Sequence, residues 1–407
     1  MTAEPLAGVK VCCSLISPFP EKNARAIKIA ESLAAAGAEV AVLFVARGEP
    51  TLPTGNFRAV PVRPTDIKPS EHPSRFLRVA YNVLVAIPLI KIVAALQARG
   101  FDPALFAALR RESADVYHAY VLDTAVPAYR AARLRFGKRA KLIYDIRDFY
   151  ADSRARYLTE EQQAYWRRQE RRLAQHADLV LAISYPMAEL VSSRHAPVAR
   201  TEVLFNGPWE CTQQAEPPHR PVRLFFQGFF EADRNLDSLI GAMQHLRGRA
   251  TLTLQGWGGC EAELRRRVEE LDLGEYVRFV EPCPPTDVIA CGRAYDVGVV
   301  CHRGSTPNHD IAVPNKFLDY IGSGLAVAGS DLPGIRSILD EYACGTPIDP
   351  TNAETMAEGL SRMVEDPANV ARMKEAATRA CRELCWDRQA EHLVGWYREL
   401  LGRGSSA

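Results

Sequence analysis

The most chemically loaded stretch of the chain is AVPNKFLDYIGSGLAVAGSDLPG, residues 312–334. Pro314 fits the first turn of a helix, where its missing N–H is no loss, and Phe317, Tyr320 and Ile321 then share one face. Lys316 and Asp319, three residues apart, are left projecting near each other. Gly322 and Gly324 end that helix, one of them with positive φ, and LAVAG reads as a short buried parallel strand before a second turn, SDLPG. In an open α/β sheet, ligands bind where strand ends meet helix starts. A cation, a carboxylate and two glycine turns at such a place point to a ligand that carries phosphate and hydroxyl groups.

The rest of the chain has to position that stretch. With 407 residues it is too long for one ordinary core and predicts two domains of about 200 residues each. An apolar content of 47% and a charged content of 24% are those of a globular protein, and a formal net charge of +1 argues against a polyanion such as nucleic acid as partner. MTAEPLAGVKVCCSLI lacks the basic and long apolar regions of a secretion signal, so a cytoplasmic location is expected. The ten cysteines include no C-x-x-C pair. Cys381 and Cys385, one helical turn apart, have no accompanying histidine and read as buried reduced thiols rather than a zinc site. No D-x-D run stands at a strand end, so no metal is expected, and no cofactor beyond a substrate.

In the first half, an apolar strand at 9–16, a helix at 23–37 and a strand at 40–45 form a β-α-β opening. Its first turn, SPFPEKNAR, has no glycine, which excludes a dinucleotide fingerprint and with it a Rossmann dehydrogenase. A proline-rich loop at 61–74 leads to residues 76–96, in which only Arg78, Asn82 and Lys91 are strongly polar and Pro88 interrupts. This stretch reads either as a kinked helix covering the sheet or as an interfacial helix making peripheral membrane contact, not as a full span. DVYHAY is a strand carrying His118, followed by a helix capped by Asp123. YDIRDFY ends the next strand with Arg147 and Asp148, and 160–175 reads as a charged helix with a solvated face. ADLVLAIS is a further buried strand. TEVLFNG closes the first domain, PWECTQQAEPPHRP has the composition of a linker, and a second α/β series starts at Val222.

PNKFLDYIGSGLAVAGSDLPG resembles the C-terminal signature of glycosyltransferases of family 4, retaining enzymes of the GT-B fold. There the helix usually reads P-x-K-x-x-E-Y-M-A-x-G-x-P-V, and Asp319 takes the place of the acidic residue that holds the ribose hydroxyls. The resemblance continues along the chain in order. His118 matches the first position of H-x-H-D, Arg147 and Asp148 stand in the place of the last two residues of Y-D-x-H-E, and Asn206-Gly207 matches the N-G turn closing the first domain. Arg234, in the loop QGFFEADRN, matches the basic residue that holds the donor diphosphate. A guanidinium at a helix start, beside free backbone N–H groups, is also a physical match for a pyrophosphate.

The resemblance implies two Rossmann-like parallel-sheet domains facing a central cleft: an acceptor-side domain at 1–206, a linker at 207–221, a nucleotide-sugar domain at 222–385, and a last helix, 386–407, crossing back to the first domain. It implies Arg234, Lys316, His118 and Tyr120 as catalytic positions. It further implies Gly228, Gly256, Asp319 and the exit loop at Pro282 as donor contacts, and Arg147 and Asp148 on the acceptor side. The expected activity is a retaining, metal-independent transfer from a UDP- or GDP-sugar to an envelope glycan, a lipid-linked glycan or a small metabolite. Three further positions depart from the family. Tyr120 replaces the second histidine, Val121 the acidic residue after it, and Ile311 the first carboxylate of a Glu-x7-Glu pair, leaving His309 or Asp310 as substitutes. Two other readings fit the same residues: a sugar-nucleotide epimerase of this fold, and a non-catalytic subunit that binds a sugar nucleotide.

Overall fold

The computed structural model describes residues 4–17, 23–45, 49–64, 102–134, 139–304 and 306–403. The proposed interfacial helix at 76–96 and most of the SPFPEKNAR turn lie outside these residues. The chain divides into two compact units. Unit 1 comprises Met1–Ala182, Leu190–Glu202 and His392–Ala407; unit 2 comprises Ile183–Glu189 and Val203–Glu391.

Unit 1 is built on a seven-stranded sheet of β1 (Lys10–Ile16), β2 (Glu39–Val45), β3 (Arg58–Val62), β4 (Val116–Tyr120), β5 (Lys141–Ile146), β6 (Leu179–Ala182) and β7 (Thr201–Val203), in the order β3-β2-β1-β4-β5-β6-β7. Unit 2 has a six-stranded sheet of β8 (Val222–Phe229), β9 (Ala250–Trp257), β10 (Val277–Val280), β11 (Val297–Val300), β12 (Ala326–Ser330) and β13 (Gly345–Ile348), in the order β10-β9-β8-β11-β12-β13. Both sheets are parallel. The central strands are apolar runs because each is covered on both faces: β4, β6, β11 and β12 are buried throughout.

The local signals act as their chemistry dictates. Asn23 caps helix Ala24–Ala35 by accepting from the Ala26 amide, and Thr159 and Gln162 form a capping box at the start of Glu160–His176. Gly324, at φ +72°, turns helix Asn315–Gly322 into β12. Four details differ from the sequence expectation. Residues 58–62 form an edge strand of the first sheet, and β13 is an edge of the second; each contains a proline, which an edge tolerates because one side of its ladder is unpaired. The helix after β4 begins at Val121, so Asp123 lies inside its first turn and Tyr120 holds the cap position. Pro314 stands just before its helix as the cap residue. Helix Glu160–His176 is not wholly solvated, for it buries Trp166, Glu170, Leu173 and Ala174.

The cysteines also depart from expectation. Cys211 and Cys381 are joined in a disulfide with Cα atoms 6.0 Å apart, fastening the connector after β7 to helix Pro367–Leu384. They lie 170 residues apart. Cys385, one turn beyond Cys381, is a free thiol. Among the described residues no helix is long and apolar enough to cross a membrane.

Candidate active site

In unit 2 the chemistry collects at the C-terminal edge of the sheet. β8 and β9 run in register as far as Gly228 opposite Gly256 and Phe229 opposite Trp257. Both glycines have positive φ, +134° and +150°. A Cβ on Gly256 would sit 1.9 Å from the Gly228 carbonyl oxygen, and one on Gly228 would sit 2.9 Å from Lys316 Nζ. The strand ends are therefore bare because the backbones and the lysine come together there.

Lys316 reaches this edge from the first turn of helix Asn315–Gly322, its ammonium 3.9 Å from the centre of the Phe226 ring. Tyr320, one turn further on, fixes the helix to the sheet: its hydroxyl accepts from the Gln227 amide at 2.9 Å. Gly298 leaves room for the Tyr320 ring, which a Cβ there would meet at 2.2 Å. Asp319 accepts from Gln227 Nε2 at 3.4 Å. Arg234 ends the turn Ala232–Arg234, and the next residue, Asn235, has φ +51° and donates from Nδ2 to the Cys301 carbonyl at 2.7 Å. This bond anchors the loop to the end of β11.

The electrostatics bring the basic groups together. Burial pushes the Lys316 ammonium down to about 8; the neighbouring Arg234 charge adds to the fall, and Asp233 and Asp319 act against it. Burial pulls His302 down to about 4, helped by Arg234 and then Lys316. Cys301, pushed up to about 12 by burial, stays a neutral thiol and gives these cations no counter-charge. Arg234 has Asp233 at 3.4 Å. An ammonium whose proton affinity is lowered by burial and by a neighbouring guanidinium forms a site that gains by taking up an anion.

The remaining predicted donor positions fall as follows. Pro282 is exposed just after β10, and the adjoining Glu281 carbonyl accepts from Gln255 Nε2 at 3.1 Å. Ile311, in the family's carboxylate position, is buried, whereas His309 and Asp310 are partly exposed in the same short helix, Pro307–Ile311.

In unit 1, His118 and Tyr120 are placed differently from the expectation. Both are buried, 0% and 1% exposed, with stacked rings 4.8 Å apart. His118 Nδ1 lies 2.8 Å from the Tyr397 hydroxyl and Nε2 lies 3.5 Å from Asp145. Asp145 is gripped by Arg25 through two bonds of 2.9 Å. Burial lowers the His118 pKa against the opposing pull of Asp145, so the ring is neutral near pH 7. This network spans four elements far apart in sequence. It belongs to the interior of the unit, where it orients β4 and β5, and it gives neither ring a surface for substrate.

The strand ends of unit 1 carry a second set of groups. Arg147 is exposed at the end of β5. Asp148 pairs with Arg154 at 3.5 Å, and the Arg154 guanidinium lies 3.9 Å over the Tyr150 ring. Asp123 joins them: burial raises its pKa, while Arg154 and a bond from Tyr150 oppose the rise. Sequence reasoning gives Asp123 only a capping role, and the tertiary pairing with Tyr150 has no local signal.

Beneath them Glu170, 2% exposed, accepts from the Tyr150 amide at 3.1 Å and the Tyr144 hydroxyl at 3.3 Å, with His195 Nε2 at 3.8 Å. Burial pushes Glu170 up to about 8, with Asp148 and Asp152 adding to the rise, and pulls His195 down to about 4. A carboxyl whose folded pKa is raised contributes stability that is complete below its unfolded pKa and is lost as pH rises through the folded value. Glu170→Gln should therefore melt like the parent at about pH 4.5 and be more stable by a few kcal/mol at about pH 9. Thermal melts across that range check it; a difference independent of pH would count against a protonated Glu170.

Among the described residues no three or more histidine, cysteine or carboxylate side chains converge as a metal site.

Parallel sheets in two α/β units are shared with solved glycosyltransferases. Sucrose-phosphate synthase from Thermosynechococcus elongatus matches with a TM-score of 0.69 at 17% identity, covering 97% of this chain and 100% of its own. HepE of Anabaena in complex with UDP matches with a TM-score of 0.68 at 13% identity, over 97% and 100%. The fold is thus that of the GT-B class. Residues 23–207 match the glycosyl transferase 4-like domain, and residues 209–380 match the glycosyl transferases group 1. The chain belongs to this glycosyltransferase family, family 4. A D-inositol 3-phosphate glycosyltransferase of Corynebacterium urealyticum is 25% identical over 137 residues, 34% of this chain and 31% of the relative. One from Catenulispora acidiphila is 24% identical over 246 residues, 57% of each. The matched stretch spans about a third to just over half of these curated relatives.

Proposed function

We propose that the protein is a retaining glycosyltransferase that takes a sugar from a nucleotide-sugar donor and passes it to a hydroxyl-bearing acceptor. The observation that carries this reading is the placement of two basic side chains at the C-terminal edge of the second sheet: Lys316 Nζ lies against Gly228 at the end of β8, and Arg234, in the loop that Asn235 ties to the end of β11, lies close enough to lower the proton affinity of Lys316 and His302. In the proposed step the bond between the sugar's anomeric carbon and the phosphate oxygen breaks, and the electron pair leaves with the nucleoside diphosphate. The acceptor oxygen bonds to the same carbon on the same face, and its proton passes to the departing phosphate. Negative charge grows on the diphosphate as this happens, so both cations bind the transition state more strongly than the ground state. They do the work that a divalent cation does in other transferases.

Asp319 is assigned to the ribose hydroxyls, with Gln227 holding its carboxylate. Arg147 and Asp148 are assigned to the acceptor side. HepE has been solved with UDP and with UDP-glucose, which favours a UDP-sugar over a GDP-sugar here. The curated relatives' names favour a small hydroxylated acceptor over a polymer. His118 and Tyr120 act through the position of β4.

A thermal-shift screen with UDP- and GDP-sugars tests the donor class. A ligand at 100 times its Kd adds about 2.7 kcal/mol of stability, so the correct nucleotide is expected to raise the melting temperature by several degrees. No shift with either nucleotide would overturn the reading. Asp319→Asn removes the charge that orients two ribose hydroxyls and is expected to weaken nucleotide binding about 10-fold or more; unchanged affinity by calorimetry would remove Asp319 from the site.

A further inference from the structure

Two large apolar side chains stand half-exposed at the strand ends next to Gly228, against which Lys316 lies, and the assignments above give them no role. Phe229 and Trp257 are the last residues of β8 and β9, opposite one another in the register and each 50% exposed. Their ring centres are 4.5 Å apart at 68°, an edge-to-face pair. Half-exposed aromatics cost the folded protein burial that it could otherwise gain, and two of them in contact make an apolar patch.

The backbone beneath them is pinned. The Phe230 amide donates to the Trp257 carbonyl at 2.8 Å, and the Cys260 amide donates to the Phe230 carbonyl at 3.1 Å. A Cβ on Gly258 would come within 2.3 Å of the Phe230 backbone, so the turn that carries Trp257 has one close-packed path. The rings therefore stand on rigid supports, which lowers the ordering cost of stacking a ligand on them.

Their surroundings decide the occupant. On one side, Lys316 Nζ lies against Gly228, the residue before Phe229. On the other, β9 is bonded to β10, whose exit loop carries Glu281 and Pro282. The ammonium and Phe229 thus share the end of β8, Trp257 ends the neighbouring β9, and Pro282 follows β10 beyond it. Neighbouring strand backbones are about 4.8 Å apart, so the end of β9 that carries Trp257 is one strand away from the end of β8 that Lys316 contacts.

We propose that Phe229 and Trp257 form a stacking platform for the nucleobase of the nucleotide whose phosphates are held by Lys316 and Arg234. This rests on the donor-site reading above and extends it to residues outside the family signature. Every base presents a π-face, and stacking on an aromatic ring is tolerant of base identity, so Trp257 supplies affinity and the loop at Pro282 is left to read the base edge.

The test is calorimetric titration of the protein and its variants with UDP, GDP and inorganic pyrophosphate. Trp257→Ala should weaken UDP or GDP binding by about 5- to 100-fold and leave pyrophosphate binding unchanged, while Trp257→Phe should recover most of the loss. Arg234→Ala should weaken all three ligands. Parent-like nucleotide affinity in both Trp257→Ala and Phe229→Ala, with Arg234→Ala still impaired, would overturn the platform and leave the donor site standing. Equal weakening of pyrophosphate and nucleotide by Trp257→Ala would also overturn it, because it would mark a structural role. A parent protein that binds none of the three would overturn the donor reading and the platform together.

Discussion

Replacing Arg234 by alanine is expected to lower turnover by at least ~100-fold, the usual loss when an oriented group that stabilises developing charge is removed. The size follows from where the guanidinium stands. It closes a turn held to β11 by Asn235, its charge reaches Lys316 and His302, and its carboxylate neighbour is Asp233 at 3.4 Å. A fork-shaped donor set beside an ammonium meets a diphosphate with two kinds of contact, and alanine leaves only the point charge of Lys316. Arg234→Lys is expected to restore part of the rate, because charge returns without the bidentate geometry. Steady-state rates with a nucleotide-sugar donor and a surrogate hydroxyl acceptor, or slow donor hydrolysis in its absence, are the measurement. A near-normal rate in Arg234→Ala would refute the assignment.

Arg25→Met should cost unit 1 about 3–5 kcal/mol, lowering its melting temperature by roughly 6–20 °C. Arg25 is 2% exposed and Asp145 0% exposed, so methionine fills the arginine's volume yet leaves a carboxylate in the interior without its guanidinium. In the parent, burial alone would raise the Asp145 pKa, but Arg25 and His118 outweigh it and hold the carboxyl well below the usual range. A depressed folded pKa contributes stability that is present above the unfolded value, near 4, and is lost as pH falls through the folded one. The gap between parent and variant should accordingly be widest above about pH 5 and narrow in acid. Thermal melts at several pH values decide it. A penalty that stays the same at about pH 3 and at about pH 7 would mean that lost packing, not the exposed need of Asp145 for a partner, destabilises the variant.

These two residues mark how differently the sequence speaks of its two halves. The site around Lys316 is legible because its parts are local: a helix, a glycine turn and a strand follow one another within 23 residues, and the 3.6 and 2.0 periodicities write such elements directly into the order of residues. Arg234 lies some 80 residues earlier, yet the strand-turn-helix pattern around it places it at the same sheet edge once the sheet is parallel. The buried network of unit 1 has no such signal. Arg25 and Asp145 are 120 residues apart, and His118 and Tyr397 are 279 apart. Nothing near His118 in the chain tells that Tyr397 will cover it.

By itself, then, the amino-acid order determined two parallel α/β units, the linker composition, and the cation, carboxylate and glycine turns of the second unit. Those features depend on runs of neighbouring residues. Tertiary structure alone decided that His118 and Tyr120 lie in the interior, that Glu170 leaves its charged helix face for a buried pocket, that Cys211 meets Cys381, and that Phe229 and Trp257 stand side by side in the open. Each of these is a statement about dielectric or contact. Both are set by which distant segments pack together, and no local pattern carries that information.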